Sequence, residues 1–142
     1  MGMKAKDVMT TRFVSVNPNS SIDEVFALLL RHHISGLPVV DDEGSLLGII
    51  TEYDLLRLLY ETTSEAGIVS DFLTKDVVTV DEDDSLNDIA ELFMSKPIRR
   101  LPVLRDEKVV GIISRRDLIR YILQIRVRVA QELEMRAKTR SA

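Results

Sequence analysis

Cysteine is absent from the 142-residue sequence, so the chain can form no disulfide, thiolate metal site or cysteine nucleophile. Because small secreted domains commonly depend on disulfides, we expect a reducing, cytoplasmic location. No apolar run approaches the ~18 residues that predict a membrane span, and no basic leader with a cleavage site opens the chain. The net charge of −4 leaves no basic excess, which argues against general binding to nucleic acid.

Histidine is almost as scarce, and patterns of catalytic or metal-ligating residues are missing. The two histidines, His32 and His33, are adjacent, so on a helix they point about 100° apart and make a poor metal pair. The acidic run 81–84 lacks the ligand spacing of a calcium loop and suits the dipole of the helix predicted after it. No phosphate-binding glycine-rich loop or nucleophile elbow occurs. We therefore predict no metal, no resident cofactor and no catalytic residues.

The sequence contains one unit in two copies. The segment GIITEYDLLR begins at Gly48, and GIISRRDLIR begins at Gly111, a shift of 63 positions. Earlier in the copies the shift is 64, so that Leu-Pro-Val at 37–39 matches Leu-Pro-Val at 101–103. One residue drops out of the second copy near Lys108. The matching extends over about fifty residues, which indicates an internal duplication.

Each copy has the pattern of a β-α-β-β-α unit. A short β-branched run predicts the first strand of each copy, at 13–16 and 77–80. A serine with an acidic residue three positions later begins each first helix, at Ser21 and at Ser85.

A strand pair and a second helix complete each copy. The strands are LPVVD and SLLGIIT in the first copy, and LPVLR and KVVGIIS in the second. The polar turn at 41–44 predicts a hairpin. The second helices are expected over 52–60 and from 115 onward.

A unit of about 55 residues cannot close a core alone, so the two copies should pack against each other. This predicts an α+β fold of two tandem β-α-β-β-α repeats with pseudo-twofold symmetry and a cleft at their seam, where small ligands preferentially bind. We assign the first repeat to 1–61, a linker to 62–68, the second repeat to 69–121 and a C-terminal helical extension to 122–142.

This tandem unit, which ends in Gly-apolar-apolar-Ser/Thr-x-x-Asp, resembles the cystathionine-β-synthase (CBS) domain pair. DVMT, ISGLPVVD and GIITEYDL in the first copy are typical of that family, as are IRRLPVL and GIISRRDL in the second. The resemblance covers about 6–58 and 69–121. It implies a regulatory module without catalytic activity of its own, which binds adenine nucleotides and related adenosine compounds and commonly forms flat homodimers.

The closing motifs, Thr51-x-x-Asp54 and Ser114-x-x-Asp117, have two interpretations. Ser or Thr three residues before Asp is a capping box at the start of a helix. A carboxylate at the third helical position can also accept two hydrogen bonds from a ribose 2′,3′-diol, and the hydroxyl and free N–H groups of the helix start suit a phosphate. With the family resemblance, we expect both aspartates to bind ligand while they cap their helices.

The resemblance also implies the remainder of each pocket, with the base against the first strand and the loop that leads to the proline strand. For one site this gives Thr10, Val14, Gly36, Leu37 and Pro38. For the other it gives Thr74, Val78, Arg100, Leu101 and Pro102. For the valines and leucines in these sets, ordinary core packing is the alternative role.

The copies differ in charge at matching positions. The first copy has Ser35, Gly36, Glu52 and Tyr53 where the second has Arg99, Arg100, Arg115 and Arg116. The resemblance implies that basic residues here meet nucleotide phosphates, which a guanidinium fork fits well; a solvated surface is the alternative. We expect the second site to prefer AMP, ADP or ATP, and the first to be weaker, empty or suited to a less anionic adenosine compound. An arginine of one copy could also reach a phosphate that the other copy holds.

The last helix is longer than the repeat requires. An apolar stripe with helical spacing continues along it, formed by Leu118, Ile122, Ile125, Val129 and Leu133. Basic residues flank the stripe at Arg120, Arg126, Arg128 and Arg136. The stripe could pack on its own chain, touch a membrane surface or dock on a partner, and we favour pairing across a homodimer.

The predicted function is that of a regulatory module, in which an adenosine-containing nucleotide binds between the repeats and shifts their packing, and a regulated protein senses this shift. A protein–protein scaffold with empty clefts is one alternative. A small enzyme that acts on a nucleotide is another.

Overall fold

The structure is a computed structural model that describes residues 2–60 and 67–141, so most of the predicted linker 62–68 lies outside the described residues. The helices are α1 (Ala5–Val8), α2 (Ile22–His32), α3 (Glu52–Leu56), α4 (Leu86–Ser95) and α5 (Arg115–Ser141). The strands are β1 (Gly36–Val40), β2 (Leu46–Thr51), β3 (Val80–Asp81), β4 (Arg100–Arg105) and β5 (Lys108–Ser114). Short 3-10 helices span Arg57–Leu59 and Val69–Asp71. The fold is therefore the mixed helix and strand arrangement that the sequence predicts.

Each repeat contains the predicted antiparallel hairpin. β1 pairs with β2, and β4 pairs with β5. In the first hairpin the Asp41 side chain accepts hydrogen bonds from the N–H groups of Glu43 and Ser45, both at 2.9 Å, which confirms the turn predicted at 41–44. The second hairpin turns at Asp106 and Glu107, whose φ angles are 51° and 68°. Positive φ at both positions is the conformation that a two-residue hairpin loop requires.

The first strands predicted for the repeats are mostly wrong. Residues 13–15 are not strand, and Val16 forms a single parallel bridge with Val39. In the second repeat only Val80–Asp81 is strand, parallel to β4. The reason lies in the neighbouring strands, because extension of either ladder backwards would need a backbone N–H from Pro38 or Pro102, and proline has none.

The helix starts agree with the capping residues in the sequence. The Ser21 hydroxyl accepts a hydrogen bond from Glu24 N–H at 3.1 Å, and the Ser85 hydroxyl accepts one from Asp88 N–H at 3.2 Å. The helix predicted over 52–60 is α-helical only to Leu56 and continues as a 3-10 helix to Leu59. No helix within 2–60 and 67–141 combines the length and apolar character needed to cross a membrane.

The two hydrophobic cores exchange segments. Ala5, at the start of the chain, is fully buried in the core of the second repeat, against residues such as Ile89 and Ile113. In return, Val69 and Phe72, which follow the linker, are buried in the core of the first repeat. Each repeat is therefore completed by residues that precede the first strand of the other repeat.

Backbone hydrogen bonds fix this exchange. Thr10 and Ile112 exchange two N–H to carbonyl bonds, at 2.8 and 3.0 Å. Ile49 and Thr74 exchange two such bonds, at 2.9 and 2.8 Å. Each threonine thus extends the sheet of the opposite repeat, along the strand that contains the glycine of the repeated motif.

Candidate functional site

A cleft of about 910 Å³ opens between the two repeats. Its walls come from both of them, with β1, β2 and α3 on one side and the approach to β4 together with β5 on the other. The stretches that cross between the repeats, 12–14 and 76–78, also line it. A cavity of this size between two packed units suits a ligand of nucleotide dimensions.

The first closing motif lies at the β2–α3 junction, where Asp54 is 91% buried, since its relative exposure is 9%. One carboxylate oxygen, Oδ2, accepts hydrogen bonds from Thr51 N–H at 2.9 Å and from the Thr51 hydroxyl at 3.1 Å. The other, Oδ1, accepts a hydrogen bond from the Thr74 hydroxyl at 2.9 Å. The predicted capping role is confirmed, because the Thr51 hydroxyl in turn accepts from Asp54 N–H at 3.3 Å.

The second closing motif repeats this arrangement at the β5–α5 junction, but the threonine hydroxyl lies farther from the carboxylate. Asp117 is 7% exposed, and its Oδ2 accepts hydrogen bonds from Ser114 N–H at 2.8 Å and from the Ser114 hydroxyl at 3.1 Å. Its Oδ1 accepts a long hydrogen bond from the Thr10 hydroxyl at 3.4 Å and forms an ion pair with Arg120 at 3.2 Å. Asp117 also caps its helix, since Asp117 N–H donates to the Ser114 hydroxyl.

The segment exchange decides which threonine accompanies which aspartate. Sequence reasoning placed Thr10 and Thr74 each in a set with the proline strand of its own repeat. In the structure the hydroxyl of each threonine instead reaches the aspartate that ends the other repeat. Each aspartate is therefore at a point where both repeats meet, and its surroundings depend on how the repeats pack.

Most of the residues proposed from the sequence line the cleft. Those that do are Thr10, Val14, Gly36, Leu37, Pro38, Thr51, Val78, Arg99, Arg100, Pro102 and Ser114. The two aspartates lie just behind them, hydrogen-bonded to Thr51 and Ser114. Thr74 lies behind the wall as the partner of Asp54, and Leu101 is a core residue that is 1% exposed. Arg115 and Arg116 are exposed on the first turn of α5 and do not line the cleft.

Other residues line the cleft without having been proposed as site residues. The charged or polar ones are Arg12, His32, Ser35, Glu52, Tyr53 and Asp76. Arg12 and Asp76 occupy matching positions in the two repeats, since 12 plus 64 is 76, so the repeat alignment contained a signal for them. His32 lines the cleft because the end of α2 faces it.

The two ends of the cleft differ in charge. At the end next to Asp117, Arg99 and Arg100 line the wall, and the Arg99 carbonyl accepts a hydrogen bond from Arg115 N–H at 3.3 Å. At the end next to Asp54, the matching Ser35 carbonyl accepts from Glu52 N–H at 2.9 Å. We call these ends the Asp117 half and the Asp54 half of the cleft.

This arrangement suits recognition of a sugar with a vicinal diol. In each half a buried carboxylate lies at the N-terminus of a helix, held by a hydroxyl and a backbone N–H. Carboxylate oxygens have further lone pairs, so each can accept from two hydroxyl groups, and charged hydrogen bonds of this kind contribute about 1.5–3 kcal/mol. The arginines of the Asp117 half add planar donors that match phosphate oxygens. In the described part of the chain no three His, Asp or Glu side chains form a group that could hold a metal ion.

Comparison with known proteins agrees with the resemblance seen in the sequence. The family model described as the CBS domain matches the chain twice, at residues 5–61 and 69–124. The chain is 32% identical over 117 residues to the uncharacterized protein MJ1225 of Methanocaldococcus jannaschii. That match includes 82% of this chain and only 42% of MJ1225, so the chain spans about two fifths of that relative.

Solved structures with the same fold contain adenosine compounds. The crystal structure of CBSX2 from Arabidopsis thaliana in complex with AMP matches with a TM-score of 0.78 and 35% identity, over 88% of this chain and 99% of that chain. The CBS domain pair of protein MJ0100, in complex with 5′-methylthioadenosine and S-adenosyl-L-methionine, matches with a TM-score of 0.72 and 30% identity. That match covers 86% of this chain and 97% of the other.

Proposed function

Because the chain belongs to the CBS domain family and contains two such domains in tandem, we propose that it is a regulatory module whose cleft binds an adenosine-containing nucleotide. The observation on which this rests is the pair of buried aspartates, each at a helix start and each next to the cleft. The complexes of CBSX2 with AMP and of MJ0100 with two adenosine compounds support the same class of ligand.

In the proposed complex the ribose diol binds Asp54 or Asp117, and Thr51 or Ser114 holds the carboxylate in place. Val14, Gly36, Leu37 and Pro38, and likewise Val78 and Pro102, surround the bases. Thr10 and Thr74 contact the carboxylates that bind the ribose, and Leu101 packs behind the wall. Arg99 and Arg100 bind the phosphate, which makes AMP, ADP or ATP the expected ligand of the Asp117 half. Arg115 and Arg116 are adjacent on α5 and would contribute to the local positive potential.

Binding would change the contact between the repeats. A ribose diol competes with the Thr10 hydroxyl for Asp117 Oδ1, and with the Thr74 hydroxyl for Asp54 Oδ1, because each threonine now occupies the outer oxygen. The ligand thereby exchanges an inter-repeat hydrogen bond for its own, which shifts the packing equilibrium toward the bound form. The Thr10 contact is looser than that of Thr74, 3.4 Å against 2.9 Å, but a diol at Asp117 Oδ1 would also compete with the Arg120 ion pair on that oxygen.

The module is proposed to act without catalysis, through a homodimer and a regulated protein. The long helix α5 favours this assembly, because its residues 122–140 are all exposed. A scaffold with empty clefts would use the same helix and would show no response to nucleotides. An enzyme would consume the nucleotide.

Calorimetric titration of AMP, ADP and ATP into the full chain tests the proposal. We expect micromolar binding that Asp117→Ala weakens at least tenfold, which corresponds to about 1.4 kcal/mol. Asp71→Ala is the matched control, because Asp71 accepts a hydrogen bond from Ile68 N–H in another capping box, away from the cleft.

Circular dichroism must show that Asp117→Ala keeps its fold. Absence of heat with every nucleotide would contradict nucleotide binding and favour the scaffold. Conversion of ATP or AMP to product on incubation would contradict a non-catalytic role.

A further inference from the structure

The apolar stripe of α5 continues beyond the part of the helix that the repeats cover. Leu118 is 8% exposed, whereas residues 122–140 are all exposed. The exposed members of the stripe lie three or four residues apart, on one side of the helix, and are Ile122, Ile125, Val129 and Leu133. Between 38% and 59% of the surface of each is exposed. A helix face of this kind is stabilised when a second apolar surface covers it.

Two opposite charges lie along one flank of this stripe. Because successive helical residues are about 100° apart, Glu132 lies about 60° and Arg128 about 100° from the middle of the stripe, on the same side. In the described part of the chain neither side chain forms an ion pair. Arginine four residues before glutamate is also the less favourable order for a pair within one helix. Both charges are therefore open to partners on a second helix.

The shared flank decides which orientation of two identical helices pairs these charges. In an antiparallel pair the twofold axis is perpendicular to both helices, so each flank meets the same flank of the partner. In a parallel pair the axis runs along the helices, so each flank meets the opposite flank. Arg128 can therefore meet the partner's Glu132 only when the helices are antiparallel.

The same charges set the register of the two helices. They are level with each other across the seam when the twofold axis passes beside Ala130, which is midway between them in the sequence. The partner's Leu133 then lies at a level between Ile125 and Val129, so apolar side chains of the two helices alternate along the seam. Knobs-into-holes packing requires this alternation. The charged and the apolar contacts thus agree on one register.

The start of α5 favours the same orientation. Its first turns contain three arginines and a single acidic residue, Asp117. A parallel pair would bring these basic turns of the two copies side by side, whereas an antiparallel pair separates them at opposite ends. The dipoles of antiparallel helices also oppose each other, which is favourable.

We infer that α5 forms an antiparallel two-helix coiled coil with α5 of a second copy, centred beside Ala130 and joined by two Arg128–Glu132 ion pairs. This inference rests on the homodimer of the proposed function and names its segment, orientation and register. Because Ser114 at the start of α5 lines the cleft, the two clefts lie at opposite ends of the helix pair. This differs from the flat homodimer that the family resemblance implies.

Charge reversal tests the ion pairs, because the two members of each pair belong to different copies. Arg128→Glu produces an acidic flank, and Glu132→Arg produces a basic flank. Each full-length variant alone should dimerise about tenfold more weakly than wild type in sedimentation equilibrium. An equimolar mixture of the two should restore wild-type dimerisation, because an acidic flank then meets a basic one in both pairs.

Matched controls change the same charges on the side of the helix away from the stripe. Lys138→Glu has the charge change of Arg128→Glu, and Glu134→Arg has that of Glu132→Arg. Both control variants should dimerise like wild type. Circular dichroism of each variant checks that its helix content is retained.

Cross-linking tests the orientation independently of charge. The chain contains no cysteine, so Val129→Cys and Ile122→Cys each introduce a single thiol. In the antiparallel register the two Val129→Cys thiols face each other across the seam, whereas the two copies of residue 122 are about 24 Å apart along the helix axis. A short bis-maleimide should therefore join the first variant into a covalent dimer and leave the second unjoined. A parallel pair would be joined at both positions.

The inference is overturned by cross-linking at residue 122, or by a mixture of the two charge variants that dimerises no better than either alone. A wild-type monomer overturns it together with the proposed homodimer. AMP titration into the same wild-type chain separates this failure from that of nucleotide binding, because the cleft and the exposed part of α5 share no residue.

Discussion

One glycine in each repeat permits the close approach on which the segment exchange depends. A Cβ atom placed on Gly48 would lie 2.5 Å from the Thr74 carbonyl oxygen and would also collide with the Leu73 side chain. A Cβ atom on Gly111 would meet mainly the flexible Met9 side chain, whose sulfur is 2.5 Å away, with the Thr10 carbonyl oxygen at 3.1 Å. The glycine of the repeated motif therefore accommodates the backbone of the opposite repeat.

Gly48→Ala is expected to lower the free energy of unfolding by about 1–3 kcal/mol, because the new methyl group must displace the Thr74 carbonyl, which accepts a hydrogen bond from Ile49 N–H while Thr74 N–H donates to the Ile49 carbonyl. Gly111→Ala is the matched comparison and should cost less, since Met9 can change rotamer. Urea unfolding of both variants measures the difference. Equal losses, or a larger loss for Gly111→Ala, would contradict this account of the two glycines.

At the scale of elements, the sequence predicts local structure well and predicts partners poorly. Helix starts at Ser21 and Ser85 and the turn at 41–44 follow from side chains that act within a few residues, and these predictions are confirmed. Most of the predicted strands 13–16 and 77–80 do not form, because Pro38 and Pro102 on the neighbouring strands have no backbone N–H to donate. The exchange of segments cannot be predicted from local patterns either. Alignment of the two repeats shows that they are similar, but it does not show that Thr10 and Thr74 pair with the strands of the opposite repeats.

In the candidate site, too, the sequence predicts the local motifs but not the contacts between the repeats. Its aspartates and their hydroxyl partners were found because they belong to one repeated motif with fixed spacing. Arg12 and Asp76 line the cleft although no motif of the sequence includes them, because they lie on the stretches that cross between the repeats. Arg115 and Arg116 were placed at the site from matching position, whereas their side chains lie outside the cleft wall.

The acidic run 81–84 forms a turn that is bonded to the start of α1 and to the end of β4. Lys6 N–H and Ala5 N–H donate to the carbonyls of Glu82 and Asp84 at 3.0 and 2.9 Å. The Glu82 carboxylate forms a bidentate pair with Arg105, at 2.8 and 2.9 Å. The hydrogen bond and attraction of Arg105 lower the pKa of Glu82, and those of Lys6 lower the pKa of Asp83.

This geometry predicts how stability depends on pH. Because the pKa of Glu82 is lower in the folded chain than in the unfolded chain, its contribution is present above about pH 5 and is lost as the pH falls through the folded value, below ~4.3. Glu82→Gln should therefore lower the Tm at pH 7 and have progressively less effect toward pH 3. Melting curves of wild type, Glu82→Gln and the exposed control Glu43→Gln across this range test it; a Tm difference that stays constant with pH would contradict the pair.

At the scale of the whole molecule, α5 extends well beyond the core. Leu118 is buried, whereas Ile122, Val129 and Leu133 are 50%, 47% and 59% exposed. The twenty residues from 122 to 141 form about 30 Å of helix, and in proteins the stability of a helix comes mostly from the packing of its apolar face. An apolar face of this extent is expected to be covered by another surface, and we propose a second copy of the chain.

Two pairs of substitutions on opposite faces of α5 test the proposed homodimer. Ile122→Glu with Val129→Glu places charges on the apolar stripe and should yield a monomer. Gln124→Glu with Gln131→Glu adds the same charge on the opposite face and should leave a dimer. Sedimentation velocity measures the mass of each variant. A wild-type monomer, or a stripe variant that remains dimeric, would show that the stripe does not hold two copies together.

The exchange of segments also sets an order of events during synthesis. Thr10 leaves the ribosome about a hundred residues before its partner Ile112, which at roughly 5–20 residues per second is a wait of about 5–20 seconds. Throughout this wait Ala5 has no core to enter, because its neighbours Ile89 and Ile113 are not yet made or folded. The earlier half of the chain, in turn, lacks Val69 and Phe72 until the later half has begun to emerge. Neither half can therefore reach its final form alone, and the nascent chain depends on completing both repeats as one cooperative unit.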